Sequence, residues 1–171
     1  LLPTGIDVSL QASEWGKAKK VGMGRIRQQL EDEGIAPRFN SFSSAKEDLS
    51  VHTKLMIEYG TNIAAGVTPG KGGQKFENIP IYESVKEAVD ATGAKISIMF
   101  VPAKFFLGAA KEALEAGVKL LVAIPEHVPV RDAMEAIQMA EQKDAIIIGP
   151  NTPGIIIPGL IKIGIMPASP F

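Results

Sequence analysis

KISIMFVPAKFFLGAAKEALEAGVKLLVAI, residues 95–124, decides the fold class. Two apolar runs, KISIMFV (95–101) and VKLLVAI (118–124), flank FFLGAAKEALEAG (105–117). In the middle segment Phe106, Ala109, Ala110, Ala113 and Leu114 recur on one face at helical spacing. The flanking runs do not alternate apolar with polar, so they read as strands buried on both faces. A helix between two such strands makes a βαβ unit, whose crossover is right-handed and whose strands are parallel. Pro102 stops the first strand and Pro125 bounds the second.

The same alternation extends in both directions. Upstream, HTKLMIEY (52–59) reads as a short helix stopped by Gly60, NIAAGV (62–67) as a strand, and IPIY (79–82) as another. SVKEAVDATG (84–93) carries the marks of a capped helix, with Ser84 as N-cap, Glu87 three residues later and Gly93 as stop. Downstream, VRDAMEAIQMAEQ (130–142) reads as a helix and AIIIG (145–149) as a strand. The expected architecture is α/β: a Rossmann-like, doubly wound, mostly parallel sheet with helices on both faces. An α+β fold with the same element order is the alternative. Residues 1–49 differ in kind. KVGMGRIRQQLEDEG (20–34) is compatible with a helix closed by Gly34, while FNSFSSAKED (39–48) is polar and offers no apolar strand. Gly22 and Gly24 lack a preceding apolar strand, so they are not read as a dinucleotide loop. The chain therefore divides into an atypical segment, 1–49, disordered or helical, and a Rossmann-like domain, 50–171.

Composition narrows the function. With 171 residues, 46% hydrophobic and 22% charged, the chain suits one globular domain. A formal net charge of -1 provides no global positive field, so neither nucleic acid nor an anionic membrane is an expected partner. The absence of cysteine removes disulfides, thiolate catalysis and thiolate metal sites, in keeping with a reducing, cytoplasmic location. No apolar run has transmembrane length and no signal-peptide pattern opens the sequence. No metal-ligand cluster or Ser/His/Asp order emerges, so no catalytic or metal residue is assigned.

In open α/β sheets ligands bind beyond the carboxyl ends of the strands, so the loops there matter most. After 62–67 comes Thr68-Pro69-Gly70-Lys71-Gly72-Gly73, where glycines permit close approach of backbone N–H groups to an anion and Lys71 supplies a point charge. Its spacing is not that of a P-loop. Glycine-rich turns after strands are also common without any ligand. After 95–101, Val101-Pro102-Ala103 frees carbonyls toward a crevice, or simply stops the strand. After 118–124, Glu126 stands beside His127; acid–base chemistry is one reading, and a helix-flanking carboxylate beside a solvated histidine is the blander one. After 145–149 comes a rigid turn, Pro150-Asn151-Thr152-Pro153-Gly154. His52 reads as a structural helix residue.

Taken in order, EYGTNIAAGVTPGKGGQ (58–74), IPIYESVKEAVDATGA (79–94), FVPAKF (100–105), EAGVKLLVAIPEHVP (115–129), IIGPNTPGII (147–156) and KIGIMP (162–167) resemble the first domain of the succinate–CoA ligase alpha subunit. GVTPGKGG and GPNTPG are the most specific of these. The resemblance implies a Rossmann-type domain that binds coenzyme A, and a beta subunit as partner supplying the nucleotide site of an ADP- or GDP-forming enzyme of the tricarboxylic acid cycle. It carries over Lys71, Ile124 and Glu126 as CoA contacts, with Val101 and Pro102 as a turn beside the cofactor and Asn151 in the loop near its thiol end. Pro125 stands where the family usually has threonine, which removes a backbone N–H. Thr152 stands where many members have cysteine. Two departures follow. The family's first strand and glycine-rich loop are missing from Phe39 to Leu49, where polar side chains cannot reproduce glycine's close approach. The segment is thus altered or unrelated, and the sheet is expected to lack its first strand. The family's second domain, with its phosphorylated histidine, is not represented, so the chain alone is expected to be inactive. A stand-alone, non-catalytic CoA- or nucleotide-binding module and a non-functional product are the rival readings.

Overall fold

The computed structural model describes residues 8–11 and 44–167, with side-chain surroundings from residue 51 onward. A seven-stranded sheet forms its centre. The strands are β1 (Val8–Gln11), β2 (Ile63–Val67), β3 (Lys75–Phe76), β4 (Ile79–Tyr82), β5 (Ile96–Met99), β6 (Leu120–Ala123) and β7 (Ile146–Ile148), in spatial order β3-β4-β2-β1-β5-β6-β7. All neighbours pair parallel except β3 with β4. The chain steps outward from β1 on one side through β2 and on the other through β5, which makes the sheet doubly wound and puts the topological switch beside β1.

Among the described residues four α-helices serve the crossovers: α1 (Ser44–Glu58), α2 (Val85–Thr92), α3 (Phe106–Glu115) and α4 (Val130–Gln142). Two apolar clusters lie on opposite faces of the sheet. One gathers Val85, Ala88 and Val89 of α2, Phe106, Ala110 and Ala113 of α3, and Ala136 of α4. The other joins Met56 of α1 with Ile161 and Ile163 from a separate hairpin, β8 (Gly154–Ile157) and β9 (Ile161–Gly164). A full buried side chain of this size contributes about 1.5–3 kcal/mol relative to exposure, so two such faces hold the sheet from both sides.

The helices follow their local signals. Ser84 accepts the Glu87 N–H at the start of α2, and Gly93, at φ 72, closes it through a bond to the Val89 carbonyl. The Val85 N–H of the same helix start donates to the Glu112 carboxylate of α3 at 2.7 Å, which locks two neighbouring helices together. Lys111 of α3 pairs with Glu135 of α4 at 2.6 Å. The Thr61 hydroxyl donates to the Lys162 carbonyl at 2.6 Å and accepts its N–H at 3.1 Å, tying the α1–β2 turn to β9. Lys162 is 1% exposed, and its ammonium has no hydrogen-bond partner among the described residues; burial pushes its pKa down, partly offset by Glu58.

The start of the chain departs from expectation. The sheet does not lack its first strand: Val8–Gln11 occupies the central position, with Leu10 opposite Gly66 on one side and Ile98 on the other. Four residues, VSLQ, are too short a run to announce a central strand by periodicity. Helix α1 starts at Ser44, upstream of residue 50, because Ala45, Lys46, Glu47 and Leu49 are good helix formers despite the polar composition. The helix expected over 20–34 lies outside the described residues.

Candidate functional site

Because β2, β4, β5, β6 and β7 run parallel, the segments after them emerge at one edge of the sheet. That edge collects Lys71, Glu83, Val101 and Pro102, Ile124 and Glu126, and Asn151. All six residues singled out from the sequence as ligand contacts stand on it.

The glycine-rich loop is folded by its neighbour. The Thr68 N–H donates to the Tyr82 carbonyl at 3.1 Å, and the Gly73 N–H to the Ile81 carbonyl at 2.9 Å. Lys71 closes two turns, donating its N–H to Thr68 at 3.1 Å and accepting from Gln74 at 3.2 Å. The Glu83 carboxylate then crosses from the end of β4 to accept the Gly70 N–H at 2.7 Å and the Gly72 N–H at 2.6 Å. The bond from Gly70, and secondarily that from Gly72, holds this exposed carboxyl below its ordinary pKa. A Cβ at Gly72 would stand 2.6 Å from Glu83 Cγ, so the close approach needs glycine there. Lys71 itself is half-buried.

The far side is held by backbone. The Ile124 N–H donates to the Met99 carbonyl at 3.1 Å, continuing the β5–β6 ladder past its last paired residues. The Asn151 N–H donates to the Pro125 carbonyl at 2.9 Å, joining the loops after β6 and β7. This approach is possible because Gly149 has φ 103, and its missing Cβ leaves room for the Ala123 carbonyl. Pro125 is buried, so the residue that removes an N–H here also lends its carbonyl to the neighbouring loop. Val101 is buried, while Pro102 and Ile124 are half-buried and Glu126 and Asn151 exposed.

The two histidines stand in different surroundings. His127 is 92% exposed on its side chain and lies 3.8 Å from Glu126. His52, half-buried on α1, stacks on Phe100 with centroids 6.2 Å apart. No group of acidic or histidine side chains able to hold a metal ion occurs among the described residues. No described helix is long and apolar enough to cross a membrane. Glu83 is the residue that sequence reading passed over. Its signal was its place directly after IPIY, the strand paired in parallel with the strand that feeds the glycine loop.

Comparison with known proteins places these features in context. A family model described as "CoA binding domain" matches residues 42–127. The chain is 50% identical over 124 residues to the succinate–CoA ligase [ADP-forming] subunit alpha of Aquifex aeolicus, covering 71% of this chain and 41% of that protein. It is also 50% identical over 122 residues to the corresponding subunit of Methanothermobacter thermautotrophicus, covering 71% of this chain and 41% of that protein. It thus spans about two-fifths of the length of these relatives. Among solved structures, ATP citrate lyase from Methanothrix soehngenii, in complex with citrate and coenzyme A, shares the fold. Its TM-score is 0.59 at 20% identity, over 95% of this chain and 24% of that one.

Proposed function

Since the chain belongs to the family of CoA binding domains, we propose that its carboxyl-edge crevice holds coenzyme A and that it is the cofactor-binding part of a ligase of the succinate–CoA type. The observation that carries this reading is the gathering of Lys71, Val101, Pro102, Ile124, Glu126 and Asn151 on one edge at the topological switch. The donor set fits the cofactor. Lys71 offers a cation to phosphate; Val101, Pro102 and Ile124 offer apolar wall; Asn151 offers an amide for the polar arm. The Gly70 and Gly72 N–H groups already serve Glu83, so phosphate attraction falls to the Lys71 side chain.

Bound CoA supplies a thiol that accepts an acyl group; the chain's part is to bind and orient it. Ligation of succinate, use of ADP or GDP, a beta subunit as partner and a cytoplasmic setting are proposed for the parent enzyme. The reading expects the chain by itself to form no acyl-CoA and no phosphohistidine: His52 is stacked on Phe100, and His127 is an exposed side chain 3.8 Å from Glu126. Incubation with ATP, or with succinyl-CoA and phosphate, followed by assay for acid-labile histidine phosphate tests this. A phosphorylated histidine on this polypeptide overturns it. Binding itself is tested by calorimetric titration with CoA, where heat that saturates at one site per chain is expected and its absence contradicts the reading.

A further inference from the structure

We infer that Glu83 is the positioning residue of the glycine loop, an internal anion that holds two loop amides so that Lys71 meets the ligand's phosphate through its side chain alone. The inference rests on the CoA reading for the identity of the ligand and on geometry for the lock.

Two backbone N–H groups converge on one carboxylate, Gly70 on Oε2 and Gly72 on Oε1. Amides that converge in this way bind anions, and here the anion belongs to the protein. The residue between them is Lys71. Fixing both flanking amides fixes the backbone from which the lysine side chain departs. The lock is itself anchored: the Glu83 N–H donates to the Glu87 carboxylate at 3.3 Å, and the next residue, Ser84, caps α2. A rigid strand and a capped helix thus set the place of the carboxylate, and the carboxylate sets the loop. Glycine at position 72 leaves the room that Glu83 occupies. A loop whose amides cradled the phosphate directly would need them vacant; this one spends them on its own shape.

Two measurements on the whole chain test the lock. In an acid titration followed by amide NMR, the Gly70 and Gly72 protons move together with a midpoint below the ordinary glutamate value of about 4.3. Both movements disappear in Glu83→Gln. Amides that do not follow Glu83 overturn the lock. In CoA titrations, Glu83→Gln weakens binding about fivefold, and Lys71→Ala costs roughly tenfold in the wild type but under about threefold in the Glu83→Gln background, because the lysine acts from a positioned loop. Glu83→Gln binding as tightly as wild type, or more tightly, overturns the positioning role and makes Glu83 a mere repulsive neighbour. A wild type that binds no CoA while both amides report Glu83 overturns the CoA reading and leaves the lock standing.

Discussion

The glycine loop after β2 and the Pro125 turn after β6 stand on the same edge of the sheet, yet different chemistry holds them. The first adds to its backbone turns one side chain, Glu83, reaching two amides across a strand pair. The second depends on main chain alone, with Asn151 donating to Pro125 and Ile124 to Met99. A side-chain tie is removed by one substitution and loosened by protonation. A backbone tie survives side-chain changes and fails only when the path of the chain is altered. The edge therefore combines an adjustable loop that carries the cation with a fixed wall that carries the apolar contacts.

The largest effect is expected where the fixed wall is broken. Gly149→Ala puts a Cβ against the Ala123 carbonyl at a φ that side chains rarely adopt. A loss of about 3 kcal/mol in urea unfolding is expected, from backbone strain and overpacking together. A loss under about 0.5 kcal/mol, within the range of an ordinary surface change, would show that the β6 and β7 loops are not tightly joined.

Next comes the loop. Lys71→Ala should weaken CoA binding by roughly tenfold while leaving the urea midpoint in place, since the residue sits in a turn and not in either apolar cluster. Salt should weaken the wild type more than the variant, because charge attraction at a solvent-facing loop is screened. A salt response that is the same in both would mean that Lys71 does not act through charge.

Acid should separate the two regions without mutation. Glu83 has a lowered pKa in the folded chain, so its stabilising contribution is complete above the unfolded value of about 4.3 and is lost as pH falls through the lowered folded value. Amide exchange, corrected for its intrinsic pH dependence, should lose protection at Gly70 and Gly72 in that window while Asn151 keeps its own. Equal loss at all three would remove the distinction. The smallest effect is expected at His127, which is exposed and lies 3.8 Å from Glu126. His127→Ala should change stability by under about 0.5 kcal/mol and CoA affinity by under about twofold; a larger loss of affinity would promote it to a ligand contact.

Much of this was legible in the sequence, and the exceptions share a cause. Helix α4 runs over 130–142 as its amphipathic period implies, and α2 begins and ends at the Ser84 and Gly93 that mark its caps. Both are local signals. Strand ends were read too long: Lys95, Phe100, Val101, Val118, Lys119 and Ile124 are outside the strands, because Phe100, Val101, Val118 and Ile124 continue the apolar runs past the last rung of a ladder. Strand β1 was missed because its place comes from pairing with residues 63–67 and 96–99, which four residues of text cannot show. Glu83 was missed for the same reason: its partners lie 11 and 13 residues away, across a parallel pair. The six candidate contacts lie in or beside loops that the strand pattern marked, and resemblance to a family carried them over; the topology explains why such scattered residues meet on one edge.

The central claim is that this edge binds CoA through a positioned Lys71. Calorimetric titration of the wild-type chain and of Lys71→Ala with CoA at moderate salt tests it most directly. The account predicts one saturable site in the wild type and about tenfold weaker binding in the variant. A wild type with no saturable heat, or a variant with undiminished affinity, would contradict it.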